Sequence, residues 1–204
     1  MQFHSRLIEE AVDQMASLPG IGKKTALRLV LHLLKREPEA VERFTRAFTD
    51  MKQKICRCTR CHNLSDRPVC AICLDGQRDQ TMVCVVETIR ELLAIEATEQ
   101  YRGVYHVLGG VISPVDGVGP QDLQVDSLVE RCKSDGVKEV IFALSTTMEG
   151  ETTAFFLYRK LAVTGVAVSM IARGVAIGDE LQYADELTLA RSISQRRPYE
   201  TAMH

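Results

Sequence analysis

The chain has 204 residues, 46% of them hydrophobic, enough to bury one good-sized core or two modest ones. No stretch approaches the roughly 18 uncharged apolar residues needed to cross a bilayer, and the opening MQFHSRLIEEAVDQ lacks a signal-type apolar run, so no membrane partner and a cytoplasmic location are expected. The net charge of −2 hides an asymmetry: residues 1–80 carry 14 Lys and Arg against 10 Asp and Glu, whereas residues 81–204 carry 11 against 17. A basic front part can meet a polyanion and an acidic rear part suits cations or basic partners, although scattered solvated charge gives the same totals.

Leu7, Ile8, Ala11, Val12, Met15 and Leu18 recur at helical spacing until Pro19-Gly20 stops the run. Thr25 to Arg36 repeats the period through Ala26, Leu29, Val30, Leu33 and Leu34. A third helix is expected from Pro38, with Val41, Phe44, Phe48, Met51 and Ile55 on one face. After a cysteine-rich segment the texture changes near residue 81 to short β-rich runs alternating with helices: MVCVVE, RELLAIEAT, YHVLGG, a loop ISPVDGVGP, a helix through Leu123, Leu128, Val129 and Cys132, and KEVIFALS. ETTAFFLYRKLAVTG then reads as a helix closed by Gly165, VAVSMIA as a strand and ADELTLARSIS as a last helix. Such alternation implies a largely parallel sheet with right-handed crossovers.

Five of the seven cysteines fall within residues 56–73. In a reducing compartment closely spaced thiols serve as metal ligands or catalytic groups rather than disulfides. Cys58-x2-Cys61 and Cys70-x2-Cys73 form two knuckles whose four thiolates suit one tetrahedral zinc, and four sulfurs leave no open position for chemistry, so the zinc is read as structural. A redox pair would need a thioredoxin-like setting at a helix start. Too few apolar residues stand in this stretch to fold it unaided, so the metal acts as its core. Cys56 fits the knuckle spacing poorly and is assigned to packing, as are Cys84 and Cys132 on a strand and an apolar helix face.

LPGIGKKTALR places Gly20 and Gly22 between two helices, with Lys23, Lys24 and Arg28 at or just beyond the turn. Glycines permit a tight turn that exposes backbone N–H groups to a phosphate oxygen, and the cations add counter-charge, giving sequence-independent DNA binding. An ordinary helix–helix turn with solvated lysines is the competing reading. Glu87 ends one strand, and Glu149 and Glu151 follow KEVIFALS at a helix start; at the carboxyl edge of a parallel sheet these three acids could converge on magnesium. Acids in a first helical turn are equally at home against the helix dipole. His4, His32, His62, His106 and His204 lie apart and none is framed by a nucleophile motif.

LPGIGKKTALR, the cysteine ribbon, VVETIRELLAIE, YRGVYHVLGGVISPVDGVGP, TTMEGETTA and ARGVAIGDELQYADELTLARSI together resemble, in order and over nearly the whole chain, the RecR family of bacterial recombination mediators. The resemblance implies an α+β chain of several parts: a helix-hairpin-helix DNA-binding region (1–55), a four-cysteine zinc finger (56–78), a Toprim-type α/β domain (79–175) and a C-terminal helical or extended assembly segment (176–204). It implies a non-enzymatic repair protein that binds single-stranded, gapped or duplex DNA and acts with RecO and RecF to place RecA on single-stranded DNA. It also implies a homodimer or ring-like homotetramer. Lys24 and Arg28 fall where the family keeps DNA-contacting basic residues, and Lys23 replaces a usual proline. Cys58, Cys61, Cys70 and Cys73 match its zinc positions, and Glu87, Glu149 and Glu151 match its Toprim acids, with Glu91 at the place of a further Asp. Related Toprim enzymes use an Asp-x-Asp pair with magnesium where this chain reads TTMEGE, which favours a scaffold over the alternatives, a magnesium-dependent nuclease or nucleotidyl-transfer enzyme, or a zinc-stabilised interaction module without DNA contact.

Overall fold

The computed structural model describes residues 5–176, 178–196 and 198, which fall into two compact units dividing between Ile55 and Cys56. In the first, α1 (Arg6–Ala16) and α2 (Lys23–Leu33) pack through buried Val12, Ala26 and Val30, with Ile8, Ala11, Met15 and Leu27 around them. These positions belong to the apolar stripes of the two helices. Helix α1 stops before Leu18, and α2 begins at Lys23 rather than Thr25. Gly22, at φ −79° and ψ 160°, is the N-cap, and its carbonyl accepts the Ala26 N–H at 3.0 Å. α2 also closes earlier than its pattern, at Leu33, where a turn takes Lys35 N–H onto the His32 carbonyl.

Helix α3 (Pro38–Lys54) starts at its proline and buries none of its residues. Phe44 and Phe48 meet edge to face at 5.0 Å. With Met15, Leu18, Leu33 and Leu34 they line an apolar trough of about 960 Å³.

The second unit opens with an antiparallel pair, β1 (Cys56–Arg57) and β2 (Leu64–Ser65), followed by the short α4 (Ala71–Leu74). There follow β3 (Asp79–Val86), α5 (Ile89–Glu96), β4 (Gly103–Val107), α6 (Val125–Ser134), β5 (Glu139–Ala143), α7 (Met148–Leu161), β6 (Ala167–Met170) and α8 (Glu186–Ser194). Leu123, expected inside the sixth helix, lies ahead of it because a short turn of 3-10 helix over Pro120–Asp122 intervenes. The expected parallel sheet is present, with strand order β4-β3-β5-β6 and every pairing parallel.

Alternation along the strands divides the core. Val83, Val85, Val104, Val140 and Phe142 pack with Leu128 of α6 and Leu157 and Leu161 of α7, whereas Cys84, Val86, Tyr105 and Val107 pack with Leu92 of α5. All of β4 is buried although it is an edge strand. The cysteine segment covers it: Val107 N–H donates to the Cys61 carbonyl at 2.8 Å, and α4 lies against the strand.

A polar knot ties β3, α5 and β4 together. Arg78 Nη1 and Nη2 donate to Glu96 at 2.9 and 2.6 Å, Tyr105 donates to the same carboxylate at 2.7 Å, and Arg78 also reaches the Gly103 carbonyl. Burial opposes ionisation of Glu96, but the bonds from Arg78 and Tyr105 hold its carboxyl below the ordinary value. Glu96→Gln is expected to lower unfolding free energy by about 1–3 kcal/mol at neutral pH. Since the fold lowers this pKa, the stabilisation is complete above the unfolded carboxyl's value of about 4.3 and is lost as pH falls through the folded value. Urea melts across the acid range should therefore show the gap between the two proteins closing toward low pH; a constant gap would contradict the ionic origin.

Candidate functional site

Four sulfurs converge in the second unit. Cys58 and Cys61 follow β1, Cys70 is the N-cap of α4 and Cys73 lies within it. All four are buried, and their ligand atoms lie within 4.8 Å of one another, with Cys61 and Cys70 at 3.5 Å. A tetrahedron with metal–sulfur bonds of about 2.3 Å needs sulfurs about 3.8 Å apart, so the cage fits one such ion. The first knuckle turns through His62, at φ 61°, while Cys58 N–H donates to the Asn63 carbonyl at 2.7 Å. Cys70 N–H donates to Cys58 Sγ at 3.3 Å.

Proton affinities are uneven within the cage. At Cys58 burial works against the thiolate but is outweighed by N–H groups of Cys70, Cys61 and Arg60, bringing the thiol down to about 6. The hydrogen bond with Cys73, then burial, raises Cys61, and burial foremost pushes Cys70 up to about 11. An arriving cation displaces these protons. Cys56 stands outside the cage, its thiol donating to the Ser65 and Arg67 carbonyls at 3.2 Å each. Cys84 and Cys132 are buried thiols raised by that burial to about 12 and about 11, hence unreactive.

His62 and His106, distant in sequence, meet edge to face at 5.1 Å where the ribbon lies on the α/β core. Their ring nitrogens join a set of bonds ending on one carbonyl: His106 Nε2 lies 2.7 Å from the Gln124 oxygen, and Ser127, 2.9 Å from His62 Nε2, donates to that same oxygen. Burial pushes His106 down to about 3, so it stays neutral. These contacts hold two parts of the chain together. The sequence carried no local sign of them, because the partners come from separate segments.

Of the acids at the carboxyl edge of the sheet, Glu87, Glu91 and Glu151 have individual partners, whereas the Glu149 carboxylate has none among the described residues. Glu87, just beyond β3, accepts the Ser145 N–H at 2.5 Å and so joins the ends of β3 and β5. Glu149 and Glu151 lie in the first turn of α7, behind the N-cap Thr147, whose hydroxyl accepts the Gly150 N–H at 3.2 Å. Gly150 passes so close to the preceding loop that a Cβ there would sit 2.2 Å from the Ser145 carbonyl. Glu151 is paired with Arg173 and faces Arg191 at 3.9 Å. Glu91 completes a capping box with Thr88, accepting that residue's N–H at 2.7 Å. The Thr-x-x-Glu spacing at 88–91 was the signal for this role. Among the described residues, the four cysteines are the group of three or more potential ligands close enough to share an ion, and Glu87, Glu149 and Glu151 do not form another.

In the first unit Gly20, at φ 80°, makes the left-handed turn between α1 and α2. Gly22 offers no side-chain cap and the first turn of α2 holds no acid, so its N–H groups stay open. Lys23 and Lys24 are therefore part of that first turn. Lys23 lies 3.2 Å from Asp13, whereas Lys24 and Arg28 are exposed and have no ion pair among the described residues.

Comparison with known proteins agrees with this layout. Family models match in succession: the RecR helix-hairpin-helix over residues 8–52, the RecR zinc finger domain of four cysteines over 55–75, the Toprim domain over 81–172 and the RecR C-terminal region over 174–197. The chain is 61% identical over 198 residues to the recombination protein RecR of Porphyromonas gingivalis, covering 97% of this chain and 96% of that one. It is 59% identical to the Bacteroides thetaiotaomicron protein of that name (96% and 95% covered) and 56% identical to that of Flavobacterium johnsoniae (98% and 97%). The cage is thus a structural zinc site, one per chain.

Metal analysis should return one zinc per chain, and Cys58→Ser or Cys73→Ser should lose it along with protection of the 56–75 backbone from hydrogen exchange. Cys56→Ser should keep the metal; loss of zinc in that variant would redefine the ligand set.

Proposed function

The chain belongs to the RecR family of recombination proteins, and on that premise we propose that it is a non-enzymatic DNA-binding mediator, acting with RecF and RecO to load RecA on single-stranded or gapped DNA. The observation that carries the DNA contact is the hairpin. Gly20 and Gly22 bring an uncapped helix start to the surface, and Lys24 and Arg28 stand beside it without intramolecular counter-charge among the described residues. Lys23, facing Asp13, contributes less. Contacts of this kind reach phosphates, so single-stranded, gapped and duplex DNA are all bound without regard to sequence.

The scaffold reading draws support from how the acids are used. Glu151 faces two guanidinium groups and Glu87 takes a backbone N–H, so both carboxylates serve the fold. We assign DNA contact to 1–55, the zinc finger to 56–78, the Toprim-like part to 79–175 and assembly to 176–204, in a cytoplasmic protein. No helix among the described residues is long and apolar enough to cross a membrane. The open apolar face of α3 supports assembly into a homodimer or ring-like homotetramer.

Labelled single-stranded, gapped and duplex DNA incubated with the protein and magnesium or manganese should stay intact while shifting in anisotropy. Lys24→Ala and Arg28→Ala should each reduce the salt slope of binding by about 1. Cleavage abolished by Glu149→Ala would establish the nuclease instead, and unchanged binding in both the lysine and the arginine variant would leave a zinc-stabilised interaction module. Light scattering should give a mass of two or four chains, and a monomer at all concentrations would refute the assembly.

A further inference from the structure

Helix α2 and the turn after it carry more uncompensated charge than the hairpin contact uses. Between Asp13 and Glu37 the chain has no acidic residue, yet Lys23, Lys24, Arg28, Lys35 and Arg36 stand in that interval. The adjacent helices pair most of their cations internally: α1 pairs Arg6 with Glu10 at 2.9 Å, and α3 pairs Arg46 with Glu42 at 2.5 Å and Lys54 with Asp50 at 3.0 Å, while Arg43 and Lys52 of α3 have no ion pair among the described residues. Each of these pairs is spaced by four residues and balances its charge within one helix. Lys24, Arg28 and Lys35 have no such partner among the described residues, so solvent ions must supply their counter-charge until a polyanion replaces them.

Lys24 and Arg28 on α2 and Lys35 in the turn after its last residue, Leu33, face one shared depression. Lys24, Leu27, Arg28, Leu31, His32 and Lys35 border a single shallow depression of about 440 Å³. From Lys24 to Leu33 the helix rises about 14 Å at about 1.5 Å per residue, the length over which one strand of B-form DNA presents about four phosphates, and the turn carries Lys35 beyond that end. Leu31, 44% exposed, puts apolar surface between the charges. Such surface suits a sugar or a base face and gives nothing to a small inorganic anion.

We infer that a phosphodiester chain lies along α2 and the turn that follows it, with Lys35 in that turn as a phosphate contact and Leu31 and His32 on the helix as flanking contacts beyond the hairpin. The inference rests on the DNA-binding reading of that hairpin and extends it from a point of attachment to a track.

The test uses the full chain with a labelled oligothymidylate and, separately, a labelled duplex, each titrated over a range of salt. Lys35→Gln should lower the slope of log K against log salt by about 0.7 on the single strand and about 0.9 on the duplex. Lys35→Arg should keep the original slope, and Lys54→Gln, which removes a cation already paired on α3, should leave it unchanged. A drop in one arm alone identifies which form of DNA follows the track. An unchanged slope in both arms for Lys35→Gln, with Lys24→Gln still lowering it, overturns the track and leaves the hairpin contact; no effect of either variant removes the hairpin contact as well.

Discussion

The convergence of four thiolates on one cation is the constraint from which the second unit is built. Residues 56–75 hold few apolar side chains, and their buried core consists of Cys58, Cys61, Cys70 and Cys73 with only Val69 and Ile72 packed against it. Without the ion, four buried sulfurs would crowd one another; with it, they become a rigid centre. That rigidity is passed on, because the carbonyl of a ligand residue, Cys61, takes the last amide of β4. The exposed edge of a parallel sheet is thereby closed, and a metal site of no catalytic capacity becomes part of the α/β core.

The opposite end of the sheet follows a different logic. Parallel strands bring their carboxyl ends to one edge, where related folds assemble metal-binding acids. Here three of the four acids meet protein groups: Glu87 a backbone amide, Glu91 the start of α5, and Glu151 two arginines from the chain after β6. The close passage of Gly150 against Ser145 fixes α7 to the end of β5. At these three acids the edge works as a fastening.

Charge is partitioned along the chain in the same spirit. In the first unit Arg6, Arg46 and Lys54 are paired within their own helices, whereas the stretch from Lys23 to Arg36 holds no acidic residue of its own. On the proposed reading, a surface left positive in this way would meet DNA through released counterions, with an affinity that depends on salt.

Much of this was legible in the amino-acid sequence. Two Cys-x2-Cys pairs name the metal and its role, because thiolate chemistry and knuckle spacing are local properties. Helical periods and the alternation of strands with helices name the fold class for a similar reason, since each element's burial pattern is written along its own length. Gly20 marks the hairpin because only a residue without a Cβ takes φ 80° readily. Tertiary structure alone decided the rest: that His62 rests on His106, that Arg173 and Arg191 come to Glu151, and that the cysteine ribbon covers β4. Those pairings join side chains from distant segments, and their energies depend on distance and exclusion of water, quantities no local pattern encodes.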